Sequence, residues 1–437
     1  MSTKEILEAL SGKLDESQSR LARLDTYYEG RQPAAFLSPS SKEALGNRLH
    51  VLGVNFPRLL VQSVAERLHV TGFREAGVET ADQSLWRIWQ ANDLETQAHL
   101  AHVDALTYGR SFVIVWAGPD GKPRITVESA KQVVVVHDPA TGVVRAALKR
   151  WEDGKDHHAV VYLPDAINRY RGPETALKVV ETIPNPLGEV PVVPLVNRSR
   201  LLDFDGASEM DDILDLTDGL NKIMSDALVT SEYFARPRRW VTGLEVHEDD
   251  DGNAVNPFSN EANRVWQSED PETKFGQFDQ ARLDGYGDLT AILTQQIGAI
   301  SGLPPHYLGL NGDQPPSADA IRSAEASLVA KVMGKQRTFG RSWARVAELA
   351  TIVETGQSRD LEALWESPET RTPGQLADAA LKLTQMGVPL SAVLADPLGY
   401  SPSQIDGIMR QQRQAVLTAS TADLSRLLIE DVPQVES

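Results

Sequence analysis

The chain contains no cysteine among its 437 residues, and aromatic side chains make up only 6% of it. The absence of cysteine excludes disulfides, thiolate metal sites and cysteine nucleophiles together. It also fits a reducing compartment, or a particle assembled inside one. Apolar residues account for 41% and charged residues for 24% of the sequence, so a soluble chain with two or more domains and a sizeable core is expected.

Long apolar runs are also missing from the sequence. The N-terminal residues have no apolar run of signal-peptide length. A membrane helix needs about 18 continuous apolar residues, and no segment of the sequence reaches that length. The sequence therefore predicts a soluble protein made in the cytoplasm, with no membrane among its partners.

The signatures of common active sites are absent as well. There is no glycine-rich loop ending in Lys-Ser or Lys-Thr, no Gly-x-Ser-x-Gly elbow and no Gly-x-Gly-x-x-Gly fingerprint. His99 and His102 lie three apart on a predicted helix, but no third metal ligand lies nearby in sequence. His157 and His158 are adjacent and would point to opposite faces of a strand. The sequence therefore predicts a protein that is not an enzyme and that holds no metal and no cofactor.

The formal net charge of -18 is the strongest compositional signal. A protein that grips nucleic acid normally has the opposite balance, so tight DNA binding is disfavoured. The acids are unevenly placed, because no basic residue occurs between Arg200 and Lys222. The carboxylates in that interval are Asp203, Asp205, Glu209, Asp211, Asp212, Asp215 and Asp218.

A helix is predicted from about Ser208 to Ala235, and four acids share one of its faces. They are Asp211, Asp215, Asp218 and Asp226. One interpretation is a solvated helix face whose early acids suit the positive N-terminal end of the helix. Magnesium binding would need a second acidic motif to complete a two-metal site, and the sequence shows none.

The most informative stretch lies between Gly302 and Glu325. A glycine and two prolines at its start end a helix that apolar spacing predicts over 283–300. The helical pattern resumes at Ser317 and continues to about residue 356, a length of roughly 60 Å at 1.5 Å per residue. A short loop therefore separates two helices, and the second is long for a globular domain.

The rest of the chain mixes helical and strand patterns. Helices are predicted over 3–28, 54–70 and 82–108, an antiparallel sheet with hairpins over 111–163, a small α+β insert over 238–281, and two further helices after residue 357. The fold class expected is α+β and mainly helical.

Several segments together resemble a known family. They are YYEG at 27–30, NFPR at 55–58, ALTYGRSFVIV at 105–115, LNKIM at 220–224 and the stretch 302–325. In this order, over nearly the whole chain, they resemble the portal proteins of tailed bacteriophages. The similarity is to the long-tailed phage type with Gram-positive, including actinobacterial, hosts.

The resemblance implies a portal fold with wing, stem, clip and crown regions and a long spine helix. The implied regions are a wing at 1–206, a first stem helix at 207–236, a clip at 237–281, a second stem helix at 282–302, a tunnel loop at 303–316, a long wing or spine helix at 317–357 and a crown at 358–437.

The resemblance also implies a structural, non-catalytic function in the virion. One chain cannot enclose a DNA channel, so a closed ring with heterologous interfaces is expected, of about twelve subunits in this family. The ring would occupy one capsid vertex, with double-stranded DNA packaged and later ejected through it without sequence specificity. Implied partners are the terminase large subunit at the clip, the scaffold and major capsid proteins, and a head-completion or adaptor protein. Assembly would take place in the host cytoplasm.

Within a portal, two sets of residues become candidates for facing DNA. The acidic stripe becomes a candidate channel lining, since carboxylates repel phosphates and let the duplex slide. The tunnel loop contacts DNA in such portals, which points to Leu310, Asn311, Gly312, Asp313 and Gln314. The loop centre carries no lysine or arginine, so its contact would be steric or through hydrogen bonds. A plain connection between helices is the alternative.

The long helix is basic after its first turns. The candidates for contact with a neighbouring subunit are Lys335, Arg337, Arg341 and Arg345. Late bases also suit the helix dipole, which is the local explanation. Two rival functions stay open from the residues alone. One is a cytoplasmic metal-dependent nuclease or phosphoesterase that uses the acidic helix, and the other is a monomeric helical adaptor.

Overall fold

The computed structural model describes most of the chain. The described residues are 3–33, 53–78, 80–173, 176–234, 239–243, 247–248, 254–255, 271–277, 283–310, 317–369, 373–395, 398–400 and 402–430. The chain divides into two units. The larger unit comprises Met1–Gln32, Asn55–Asp215 and Ile297–Ser437, and the smaller comprises Pro33–Val54 and Leu216–Gln296.

The larger unit begins with helices close to those predicted. They are α1 (Thr3–Tyr28), α2 (Phe56–Ala65), α3 (Gln83–Ala91) and α4 (Leu94–Tyr108). The Asn55 side chain caps α2 by accepting a 3.0 Å hydrogen bond from the Arg58 backbone N–H. The predicted region 82–108 is two helices, because Asp93 adopts a left-handed conformation with φ of 53° between them.

Two antiparallel sheets follow. Their strands are β2 (Arg110–Ala117), β3 (Pro123–Ser129), β4 (Val133–His137), β5 (Val144–Asp153), β6 (Asp156–Tyr162), β7 (Ala166–Gly172), β8 (Lys178–Pro184) and β9 (Val192–Val196). The order in one sheet is β3-β2-β9, and in the other it is β4-β5-β6-β7-β8. The predicted hairpins are confirmed, but they belong to separate sheets.

One face of the five-stranded sheet packs against α1. The buried residues of this core cluster are Leu7, Leu10, Leu14, Val134, Ala146, Leu148, Ala159, Val161 and Tyr170. The leucines recur at three- and four-residue spacing along α1, so one stripe of the helix meets alternate residues of the strands. Burial of this apolar surface fixes the N-terminal helix on the sheet.

The long helix is α7 (Ala318–Thr355), and it matches the predicted span. Ser317 caps its start by accepting a 3.2 Å hydrogen bond from the Ala320 backbone N–H. Gly356, with φ of 74°, ends it in the left-handed conformation. Its second half is held by buried aromatic residues, chiefly Phe339 and Trp343. Beside it, β1 (Val70–Glu75) pairs antiparallel with β14 (Leu361–Trp365).

The smaller unit contains most of α5 (Leu214–Phe234) and α6 (Asp284–Ser301). Leu293 of α6 packs close to Gly219 of α5, where an added Cβ would lie 3.5 Å from its Cδ1. Between the helices, β10 (Arg239–Thr242) pairs with β13 (Lys274–Gln277), and β11 (His247–Glu248) pairs with β12 (Ala254–Val255). The short strands agree with the predicted α+β insert as far as it is described.

The helix predicted from about Ser208 in fact begins later. Residues Asp211–Ile213 form a short 3-10 turn, and α5 begins at Leu214. The Asp211 carboxylate accepts a 3.0 Å hydrogen bond from the Ser208 backbone N–H, and the Ser208 hydroxyl accepts a 3.2 Å bond from the Met210 backbone N–H. These local side-chain bonds satisfy backbone donors ahead of the 3-10 turn, as caps do at the start of a helical segment.

The C-terminal region contains α8 (Pro373–Gln385), α9 (Leu390–Ala395) and α10 (Pro402–Glu430). Two helices were expected there from apolar spacing, and the short α9 is an addition. None of the helices in the described ranges has the length and apolar character that crossing a bilayer requires.

Candidate channel and subunit-contact residues

The acidic segment ahead of α5 is largely neutralised within the chain. Asp205 Oδ1 lies 2.9 Å from Arg110 Nη1 and 3.1 Å from Lys13 Nζ. Asp211 Oδ2 lies 3.2 Å from Arg20 Nη2. These bases come from α1 and β2, about 100 to 190 residues away in sequence. The acids that form one run in sequence therefore have separate partners in space.

Glu209 is the most deeply engaged of these acids. Its Oε1 lies 2.7 Å from Lys331 Nζ and its Oε2 lies 2.8 Å from Lys335 Nζ. Asn197 Nδ2 donates a further 3.2 Å hydrogen bond to Oε2. Burial raises the pKa of the Glu209 carboxyl, but the two ammonium groups outweigh it and lower that pKa to about 2. Glu209 is therefore a charged, paired carboxylate that fixes α7 beside the start of α5.

The four channel-lining candidates differ in their surroundings. Asp211 lies in the 3-10 turn and is paired with Arg20, and Asp226 is paired with Lys222 one turn before it on α5. Asp215 is exposed and Asp218 is half-buried. The stripe is therefore not a uniform row of free carboxylates, and Asp211 and Asp215 are its exposed members.

The tunnel-loop candidates fall mostly outside the described residues. Asn311, Gly312, Asp313 and Gln314 lie there, whereas Leu310 is half-buried and its backbone N–H donates a 3.0 Å hydrogen bond to the Pro305 carbonyl. This bond closes the 3-10 turn Pro305–Leu308 at the loop base.

A buried ion pair between Arg67 and Glu325 attaches the base of that loop to neighbouring helices. Arg67 Nη2 donates to Tyr307 Oη at 2.9 Å and to Glu325 Oε1 at 3.2 Å. His306 Nε2 lies 3.7 Å from the same Glu325 oxygen. The cluster joins the end of α2, the loop base and the first turns of α7. Sequence reasoning missed it, because Arg67 and Glu325 are 258 positions apart and the sequence around either residue does not indicate the other.

The basic residues of α7 separate into two groups. Lys335 bonds Glu209 and also donates to Asn197 Oδ1 at 2.5 Å, and Arg345 pairs with Glu189 and with Glu348. Arg337 and Arg341 are exposed, and neither has an ion-pair or hydrogen-bond partner within the described part of the chain. Only the second group is available to another molecule without first losing a bond.

Arg337 and Arg341 lie on the wall of a concavity in the larger unit, which has a volume of about 1260 Å³. Met333, one turn before Arg337, is 43% exposed, and Val143 at the tip of the β4-β5 hairpin is 62% exposed. Both side chains line the same concavity. It therefore offers two free cations next to exposed apolar groups, which are the features of a protein-contact surface.

Three of the four histidines considered as metal ligands make other contacts. His102 is fully buried and stacks on Phe339, with ring centroids 5.4 Å apart. His158 stacks on Trp151, while His157 lies 3.8 Å from Glu152. Over the described ranges, no three residues of metal-binding type come together in a site.

The chain is similar to known proteins over most of its length. A family model described as "Phage portal protein, SPP1 Gp6-like" matches residues 7–393. The portal protein of Mycobacterium phage L5 is 32% identical over 430 residues, which cover 93% of this chain and 87% of the relative. The portal protein of Mycobacterium phage D29 is 32% identical over 428 residues, which cover 92% and 87%.

Two solved assemblies are also similar to the chain. One is the neck of a native GTA particle computed with C12 symmetry, with a TM-score of 0.48, 13% identity, and coverage of 81% of this chain and 91% of that one. The other is the virion of a native gene transfer agent particle, with a TM-score of 0.48, 11% identity, and coverage of 84% and 94%.

Proposed function

Because the chain belongs to the SPP1 Gp6-like family of phage portal proteins, we propose that copies of it close into a ring at one capsid vertex and form a DNA channel. Membership in the family makes the chain a structural, non-catalytic capsid component and confirms the sequence-based expectation of a portal subunit. The nuclease and adaptor alternatives receive no support. The match of the family model over residues 7–393 carries this conclusion.

In this proposal, double-stranded DNA passes through the ring during packaging and again during ejection. The net charge of -18 and the exposed carboxylate of Asp215 support a non-binding wall. Each subunit repeats the same carboxylates, so a ring multiplies their repulsion of phosphates. The effect acts within a Debye length of about 8 Å in physiological salt, which means near the wall. Asp218 and Asp226 extend the proposed lining along α5, and Asp211 marks its start.

The proposed regions follow the boundaries expected from the sequence. The wing is 1–206 and the stem helices lie in 207–236 and 282–302, which contain α5 and α6. The clip is 237–281, the tunnel loop 303–316, the spine helix 317–357 and the crown 358–437. The division of the chain supports the stem and clip in part, since Leu216–Gln296 belongs to the smaller unit, which also includes Pro33–Val54 of the proposed wing.

The proposed partners follow from the portal function. The terminase large subunit would meet the clip, the scaffold and major capsid proteins would surround the ring, and a head-completion protein would join it after packaging. Assembly would occur in the host cytoplasm and the mature ring would reside in the virion. The tunnel-loop residues Leu310–Gln314 would contact DNA without sequence specificity.

Arg337 and Arg341 are the proposed ring contacts of the long helix. Both are exposed, have no ion-pair or hydrogen-bond partner among the described residues, and line a concavity in a chain whose net charge is -18. A second copy therefore supplies the complementary charge. Lys335 and Arg345 would shape this contact through their intrachain pairs with Glu209 and Glu189.

Charge reversal tests the ring proposal. Arg337→Glu with Arg341→Glu should convert rings to monomers, as measured by light scattering and electron microscopy of one sizing-column peak. Arg87→Glu with Arg124→Glu is a matched control, because both residues are exposed, neither lines the concavity and the charge change is the same. Intact rings from the Arg337/Arg341 variant would contradict the proposed contact.

A further inference from the structure

Lys331 forms two bonds that join distant parts of the chain. Its Nζ donates to Glu209 Oε1 at 2.7 Å and to the Ser301 carbonyl oxygen at 2.7 Å. The smaller unit's segment Leu216–Gln296 leaves the larger unit after Asp215 and returns at Ile297. Glu209 lies just before the departure and Ser301 just after the return, and all three bonded residues belong to the larger unit.

We propose that Lys331 is a positioning residue that holds the two roots of the inserted segment at a fixed spacing. We define the departing root as residues 207–213 and the returning root as residues 297–303. The same ammonium group bonds both roots, so a displacement of α7 at this turn would disturb both roots together. The inference goes beyond the proposed function, because it concerns how residues 207–213 and 297–303 are held together within the larger unit.

The electrostatics favour a cation at this position. Ser301 is the last residue of α6, and the carbonyls at a helix C-terminus carry negative partial charge. Glu209 supplies a full negative charge on the other side of the ammonium. The Lys331 side chain is 23% exposed and the Glu209 side chain 10% exposed, so both bonds are poorly screened by solvent.

A second observation shows how closely α7 passes the returning root. Gly302 has φ of 72°, and a Cβ at this position would lie 2.8 Å from Ser327 Oγ and 4.0 Å from Lys331 Cε. The two segments are therefore in direct contact on the face of α7 that carries Lys331. The lysine bond lies within a packed contact rather than bridging open solvent.

Lys335 provides an internal comparison. It lies one turn further along the same helix, bonds the same Glu209 carboxylate and has a similarly buried side chain, 17% exposed. Its second bond goes to Asn197 Oδ1, which is not part of the returning root. Lys331 and Lys335 thus share one partner and differ in the other.

Hydrogen exchange of the full chain, read by mass spectrometry, tests the proposal. Lys331→Met should speed amide exchange on the order of tenfold in both roots. Lys335→Met should speed it in the departing root alone. Glu209→Gln should speed exchange more in the departing root than in the returning root, because Lys331 can still donate to Ser301. Lys331→Arg, which keeps the charge and donors, should restore protection of the returning root.

Two results would overturn the proposal. In one, Lys331→Met speeds exchange in the departing root only, so that Lys331 is no more than a second partner of Glu209. In the other, Lys331→Met and Lys335→Met have the same effect on both roots.

Exchange in the aromatic half of α7, around Phe339 and Trp343, is the control that reports a general loss of stability. If Lys331→Met does not fold, Glu209→Gln serves as the test. An equal increase in exchange rate in both of its roots, relative to the unmodified chain, would contradict the shared anchor. The experiment needs no ring, so its failure is separate from failure of the portal proposal.

Discussion

Trp343 Nε1 donates a 2.8 Å hydrogen bond to His102 Nε2, and both side chains are fully buried. An indole N–H is only a donor, so this imidazole nitrogen must present its lone pair and the ring is neutral. Burial, followed by the nearby His99 and His69, lowers the pKa of His102 to about 3. The pair joins α4 to the aromatic half of α7.

The pair predicts loss of stability in mild acid. The pKa of His102 is depressed in the folded state, whereas that of an unfolded histidine is about 6.5. Above pH 6.5 this histidine is neutral in both the folded and the unfolded chain, so its titration does not change the free energy of unfolding. Below pH 6.5 only the unfolded chain takes up the proton, which favours unfolding. Stability should fall by about 1.4 kcal/mol per pH unit from this group between pH 6 and 3.

His102→Gln tests this prediction, since an amide oxygen can still accept from Trp343 but does not titrate. Denaturant unfolding of both proteins at several pH values gives the two slopes. The variant should be less stable at pH 7.5 but lose less stability on acidification. Parallel pH profiles would show that His102 does not contribute, because the remaining acids titrate in both proteins.

Glu209→Gln should destabilise the chain at neutral pH by about 3 kcal/mol, because two largely buried lysines lose their shared counter-charge. The pKa of Glu209 is depressed to about 2, so its contribution is present above the unfolded value and disappears as the pH falls toward 2. Asp226→Asn is the control, since its partner Lys222 is on the same helix and both are partly exposed. That change should cost under about 1 kcal/mol in urea unfolding. Equal costs would contradict the special role of Glu209.

Gly302→Ala should cost more than Gly356→Ala. Both glycines have positive φ, at 72° and 74°, so each alanine carries a conformational cost of about 1 kcal/mol. Only at Gly302 would the new Cβ meet another group, Ser327 Oγ at 2.8 Å, whereas nothing lies within 4 Å at Gly356. Adding Ser327→Ala to Gly302→Ala should recover the difference. Chemical denaturation measures it, and a lack of recovery would place the strain elsewhere.

Asp215→Lys should impair DNA passage without preventing assembly. The change places a cation on each subunit where the proposed channel wall carries a carboxylate, and cations hold phosphates by releasing counterions. Packaging of DNA into proheads should slow more at low salt than at high salt, and Asp215→Asn should have a smaller effect. Packaging rates that do not depend on the charge at Asp215 would remove this residue from the channel.

Local signals explain why the long helix was predictable. Apolar residues at helical spacing, a serine cap at Ser317 and a glycine stop at Gly356 all act within a few residues of each other. Strand β8 lacked such signals. β8 is an edge strand with Val179 and Val180 both exposed, so it shows no alternation between buried and exposed positions.

The electrostatic pairing could not be predicted from the sequence. Seven acids between Arg200 and Lys222 suggest one open stripe, whereas their partners include Lys13, Arg110 and Lys331 on other elements. The same applies to the bases of α7. Which of Lys335, Arg337, Arg341 and Arg345 are free depends on where Glu189 and Glu209 lie in the folded chain, and this is a tertiary property.

The mass of this portal subunit in solution tests most directly whether its copies close into a ring. Light scattering on a sizing column, with electron microscopy of the same peak, should give a closed ring of about twelve copies with a central hole. A chain that remains monomeric at every concentration, and also when produced together with its scaffold and capsid proteins, would contradict the account.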